Sequence, residues 1–94
     1  MLKDVIKKYP NLSNIEGSFT QVVQENNNVI AAAAEDDSVS KEDFKELILH
    51  ILDECKQTNW TKKAKDKIER FDSKYEIMKF VYNAYLKGEN EGVI

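Results

Sequence analysis

Glu46, His50 and Glu54 recur at intervals of four, so on a helix they share one face. Carboxylates and an imidazole at that spacing could hold a metal through two or three ligands. The chain has no second histidine, and its one cysteine does not stand at ligand spacing. A surface histidine between two acids is the simpler reading, and neither metal nor cofactor is expected. Cys55 could act as a nucleophile only beside a base. His50 precedes it by five residues, about 140° around a helix, which places it poorly. Cys55 is therefore read as a buried structural thiol. The sequence has no glycine-rich phosphate loop and no serine elbow. No catalytic residue is assigned, and the chain is read as not an enzyme.

A second constellation is basic. Lys56, Lys62, Lys63, Lys65, Lys67, Arg70 and Lys74 lie near Trp60. Lysines could meet phosphates while the indole stacks on a base, with 61–71 and 74–87 as a helix-turn-helix pair. Asp66, Glu69, Asp72 and Glu76 interrupt the patch, however. The would-be recognition helix is also the most apolar in the chain, with few side chains suited to base edges. A nucleic-acid-binding regulator using Lys62, Lys63, Lys65, Lys67 and Arg70 is the alternative reading, not the leading one.

The remaining candidates are apolar surfaces. Phe19, Asn26 and Ala33, with Leu12 before them, recur at seven, and so do Ile15, Val22 and Val29. Together they make an a/d-like seam. One reading is ordinary core packing. The other is self-association through Phe19, Val22, Asn26 and Val29, with Asn26 fixing the register as a polar a-position residue does. The stretch Tyr75–Leu86 is apolar over about two-thirds of a helix surface. Such a helix must be covered on most sides, by its own chain or by a partner. Ile77, Phe80 and Ala84 lie opposite Tyr75, Tyr82 and Leu86. The stripe 44–55, the face Ala64/Ile68/Phe71 and a short N-terminal helix cover the tyrosine side more easily. Ile77 and Phe80, with Trp60, Tyr85 and Leu49, are therefore the expected anchors for a partner.

These features sit on helices. Residues 2–9 read as a short helix ended by Pro10. Ser13-Asn14-Ile15-Glu16 reads as a capping box opening a helix over 14–35. The poor helix formers Gly17 and Asn26–Asn28 keep a hairpin over 18–34 open as the alternative. Acidic Glu35, Asp36 and Asp37 should stop that helix, and they could steer the chain towards basic surfaces. Ser40 caps a helix over 41–57 with Phe44, Leu47, Ile48, Ile51, Leu52 and Cys55 on one face. Thr61 is expected to cap a helix over 62–71 after a connector containing Trp60. Ser73-Lys74-Tyr75-Glu76 is a second capping box for a helix over 74–87, with Gly88 as its stop. The expected fold is a single all-α domain over 1–94, a bundle of four to five helices, with 88–94 a short tail.

Bulk composition agrees. The chain has 94 residues, 41% hydrophobic and 33% charged, with one Pro and three Gly. That suits one small core, and long uninterrupted segments favour helices. Net charge is −3, which argues against general nucleic-acid affinity. Its distribution is uneven: 1–40 is net acidic and 56–79 net basic. One cysteine cannot form an internal disulfide, so a reducing compartment is expected. No apolar run spans a bilayer and no signal peptide is visible, so a cytoplasmic location and no membrane partner are expected. The expected function is a small non-enzymatic protein working by protein–protein contact. It would be an inhibitor, adaptor or assembly subunit, with the general look of a phage or mobile-element accessory protein. Its partner would be another protein or itself as a homo-oligomer.

Overall fold

The computed structural model describes residues 2–10, 12 and 15–87. The expected tail 88–94, the capping residues Ser13 and Asn14, and the Gly88 stop lie outside the described residues. The fold is all-α. Six helices follow in order: α1 (Leu2–Lys8), α2 (Phe19–Glu25), α3 (Asn27–Glu35), α4 (Lys41–Glu54), α5 (Asn59–Glu69) and α6 (Lys74–Lys87). The described residues contain no strand, so the hairpin alternative over 18–34 does not apply.

Helix α4 is the hub, packing against α1, α2, α5 and α6. Ser40 caps it, its Oγ accepting the Asp43 N–H at 3.0 Å, and Glu42 and Asp43 face the positive helix end. The whole stripe Phe44, Leu47, Ile48, Ile51 and Leu52 is buried. The helix ends at Cys55, a little short of the expected residue 57. Gln57 explains the stop. Its Nε2 donates to the carbonyls of Leu52 (2.7 Å), Asp53 (3.0 Å) and Cys55 (2.8 Å), which would otherwise lack helical partners. Cys55 is buried, as expected of a structural thiol.

The single helix expected over 14–35 is two. The chain at Ile15–Gly17 is a turn, and α2 begins only at Ser18, whose Oγ accepts the Gln21 N–H at 3.2 Å. The Gly17 carbonyl accepts the Lys56 N–H at 2.8 Å, tying this turn to the end of α4. At Asn26 the backbone leaves the helical region (φ −112°, ψ 20°) and separates α2 from α3. The Asn26 Nδ2 donates to the Val22 carbonyl at 2.9 Å, alongside its own backbone N–H at 3.0 Å. A short amide side chain competing for the helix ladder is the expected cause of such a bend. Helix α3 stops at Glu35, within the acidic run.

Helix α5 starts earlier than expected. Thr58, not Thr61, is its cap: Thr58 Oγ1 accepts the Thr61 N–H (3.2 Å) and Thr61 Oγ1 accepts the Thr58 N–H (2.9 Å). This reciprocal box satisfies two otherwise orphaned donors. It also places Trp60 in the first turn of α5 instead of in a connector. Replacing Thr58 with Ala should cost about 1 kcal/mol of unfolding free energy, read by urea denaturation. Ser73 caps the start of α6, its Oγ accepting the Glu76 N–H at 3.1 Å. The Glu76 carboxylate reaches back to the N–H of Asp72 (3.3 Å) rather than that of Ser73.

One buried cluster joins all six helices: Val5 from α1, Phe19, Val22 and Val23 from α2, Ile30 and Ala33 from α3, the α4 stripe, Ala64 and Ile68 from α5, and Ile77, Phe80, Val81 and Ala84 from α6. Among the described residues no helix is long and apolar enough to cross a membrane.

Candidate functional site

Helix α6 has two apolar sides, and the structure assigns them the reverse of the sequence expectation. Ile77 and Ala84 are fully buried and Phe80 is 4% exposed, so these residues belong to the core and are not exposed anchors. The physical reason is α2. It crosses α6 and packs on it together with α4, and the Thr20 hydroxyl donates to the Ala84 carbonyl at 3.4 Å. Short α1, counted as a cover in the sequence, packs on α4 instead. The opposite side faces outward: Tyr75 is 74%, Tyr82 52% and Leu86 63% exposed.

The other expected anchors are also committed to the fold. Trp60 is half-buried between Phe19 and Phe80, with ring centroids 5.6 Å from each. Phe71 meets Phe80 edge-on at 6.2 Å. This aromatic file joins α2, α5 and α6. Leu49 is half-buried against the core. Of the five, Tyr85 alone borders the outward face. It is half-buried and meets Tyr82 edge-on at 6.1 Å.

The proposed self-association seam is internal. Phe19 and Val22 are fully buried, Val29 is half-buried, and Asn26 is 2% exposed. The Asn26 amide finds its partner in its own chain, at the Val22 carbonyl, so it sets a bend and not an intermolecular register.

The charged clusters are partly absorbed as well. Lys62, Lys63 and Arg70 are exposed, with Asp66 and Glu69 exposed among them. Lys65 pairs with Asp53 at 3.0 Å and donates to Gln57 at 3.2 Å, and Lys67 is half-buried. Lys74 donates to the carbonyls of Ala33 (3.3 Å) and Asp36 (2.8 Å), neutralising the negative end of α3. The outward basic groups Lys62, Lys63 and Arg70 are thus mixed with the acids Asp66 and Glu69 on one surface.

In the acidic run, Asp36 is occupied. Its carboxylate accepts from Lys8 Nζ, from the Tyr9 hydroxyl (2.7 Å), and from the Ser38 N–H (2.9 Å) and hydroxyl (2.7 Å). The Lys8 and Ser38 hydrogen bonds hold this carboxyl well below its ordinary value of 3.8. Asp36 in turn raises the titration of both Lys8 and Tyr9. A carboxyl depressed in the folded state contributes above its unfolded value and is lost as pH falls. Raised Lys and Tyr groups contribute below theirs and are lost as pH rises. Attachment of α1 should therefore be full between about pH 5 and pH 9 and weaken on both sides. Amide exchange at Val5 from below pH 5 to above pH 9, relative to Ile51, checks this prediction.

Glu46 accepts the Leu2 N–H at 2.9 Å, and His50 is half-buried. Among the described residues no three of His, Cys, Asp or Glu are grouped to hold a metal ion.

What stays free is the outward side of α6. Three clefts flank its tyrosines, and two of them border Tyr82. One, of about 270 Å³, is lined by Val23, Asn27, Met78, Val81, Tyr82 and Tyr85. The second, of about 300 Å³, is lined by Tyr75, Met78, Lys79, Tyr82, Asn83 and Leu86. The third, of about 290 Å³ beside Tyr75, has Lys67, Glu76 and Lys79 in its lining, so the aromatic surface is edged by charge as well as by the amides of Asn27 and Asn83. Sequence reasoning placed Tyr75, Tyr82 and Leu86 on the wrong side. A usable signal was present: the tyrosines sit together on one side, and a phenol hydroxyl prefers a wet end, whereas Ile, Phe and Ala on the other side carry no polar atom. No known protein family, curated protein or solved structure matches this chain.

Proposed function

We propose that this is a small non-enzymatic protein that acts by protein–protein contact through the outward side of α6, as an inhibitor, adaptor or assembly subunit. One observation carries the reading. Two tyrosines and a leucine are each more than half exposed on one helix side, while the other large apolar groups among the described residues are buried more fully. Isolated exposed apolar residues need no explanation, but a contiguous patch of this kind marks a contact surface. Tyrosine is a frequent anchor there, with large area and few rotatable bonds. The clefts beside Tyr82 offer places for partner side chains, while Asn27, Asn83 and Lys79 supply a polar rim. The test is affinity capture of partners with the chain and with its Tyr82→Asp, Leu86→Asp form. Loss of capture by a folded double variant supports the reading; equal capture by both sinks it.

A further inference from the structure

We infer that α1 is a strap: it opens from α4 and closes again as a unit while α2–α6 stay folded, and the Asp36 carboxylate is its catch. Among the described residues Val5 is the one that α1 buries, whereas every other helix buries two or more. Leu2 and Ile6 are half-buried beside it, and Lys3, Asp4, Lys7 and Lys8 are exposed. The apolar area that opening returns to water is therefore small. Packing beneath the helix is also incomplete. A cleft of about 140 Å³ lies between α1 and the start of α4, lined by Asp4, Val5, Lys8, Ser38, Val39 and Asp43.

Polar contacts hold both ends of α1. At its start the Leu2 N–H donates to Glu46 at 2.9 Å, on exposed surface. At its end the contacts converge on one carboxylate. Lys8 Nζ and the Tyr9 hydroxyl both donate to Asp36. The Ser38 hydroxyl closes the group, accepting from Lys8 Nζ at 2.6 Å and donating to Asp36 at 2.7 Å. Asp36 is itself fixed to the body of the fold. Its backbone carbonyl accepts from Lys74 Nζ of α6 at 2.8 Å and from the Val39 N–H at 3.0 Å. The catch thus stays in place when α1 leaves, and α1 brings only Lys8 and Tyr9 to it.

A helix of seven residues does not hold alone in water, so α1 loses its helical bonds when it opens. The stripe of α4 keeps its packing on α2, α5 and α6. Opening uncovers Val39, which is 4% exposed when the strap is closed, and the side of α4 that carries Glu46. Segments with few buried apolar groups and exposed hydrogen bonds are those that open below the free energy of global unfolding.

The test is native-state amide exchange of the full chain in increasing low concentrations of urea. It compares the Tyr9 N–H, which donates to the Val5 carbonyl at 2.9 Å, with the N–H of fully buried Ile51. The Tyr9 amide should be protected about a hundredfold less or more weakly still. Its opening should show roughly a tenth of the urea dependence of Ile51, because urea sensitivity scales with the surface exposed. Asp36→Asn keeps the side-chain shape and removes the charge. It should lower protection at Tyr9 by about fivefold or more, and Tyr9→Phe should act in the same direction. Asp37→Asn, at the exposed neighbouring carboxylate, should leave it unchanged. Equal protection and equal urea dependence at Tyr9 and Ile51 would overturn the strap, since α1 would then open only with the whole fold. A Tyr9 amide that responds to neither Asp36→Asn nor Tyr9→Phe, or responds equally to Asp37→Asn, overturns the catch.

Discussion

Phe80→Ala should lower unfolding free energy by about 3–5 kcal/mol, the largest stability loss expected from any change on α6. Phe80 is 4% exposed and meets two rings, Trp60 and Phe71. Removing it opens a void where α5 and α6 join, and Trp60 would lose one of its two flanking aromatic faces. A domain of this length has roughly 5–14 kcal/mol of stability in all. A loss of 3 kcal/mol should therefore lower the melting temperature by about 12 °C or more. Phe80→Leu, which keeps most of the volume, should cost nearer 1–1.5 kcal/mol and guards against outright unfolding of the Ala variant. Urea titration of both variants measures these values. A loss below about 1 kcal/mol for Phe80→Ala would show that the ring is not packed as described.

Tyr82→Asp should have the opposite profile. Tyr82 is half exposed and sits on the outward side of α6, so unfolding free energy should stay within about 0.5 kcal/mol of the parent. Contact with a partner should weaken by about thirtyfold or more, since a tyrosine anchor at the centre of an interface is commonly worth 2 kcal/mol or more. A carboxylate there also meets the partner's apolar surface without a counter-charge and must be desolvated. Titration of captured partner against both forms gives the ratio. A Tyr82→Asp form that unfolds would mean that the ring is structural.

The contrast between these two residues also shows what the sequence could and could not supply. Helical periodicity grouped Ile77, Phe80 and Ala84 on one side of α6 and Tyr75, Tyr82 and Leu86 on the other, and both groupings hold. Periodicity says nothing about which side is buried, because that depends on the neighbour that arrives. Here the neighbour is α2, a segment far earlier in the chain, whose Thr20 reaches Ala84 across a separation of 64 residues. Helix α4 was legible nearly to its ends because cap, acidic first turn and apolar stripe agree. Helix α5 was misplaced at its start because two threonines three apart both cap, one from each side of the box, without the usual Glu or Gln at the inner position. The seven-residue seam of Phe19, Val22, Asn26 and Val29 assumed one continuous helix; it falls on two, with Phe19, Val22 and Asn26 buried and Val29 half-buried. Asn26 within it bends the chain by claiming the Val22 carbonyl, an outcome that spacing alone does not distinguish from a register device. The charged candidates followed the same pattern. Lys74 and Asp36 look like surface charge in sequence, but the fold uses them to hold the end of α3 and the attachment of α1.

The central claim is that the Tyr82 side of α6 is where this protein touches other proteins. Its most direct measurement is site-specific photocrosslinking in cells that produce the chain, with the reactive residue at position 82 and, in parallel, at exposed position 66 on α5. The account predicts a discrete higher-mass adduct from position 82 and none from position 66. Adducts from position 66 alone, or equal adducts from both positions, would contradict it.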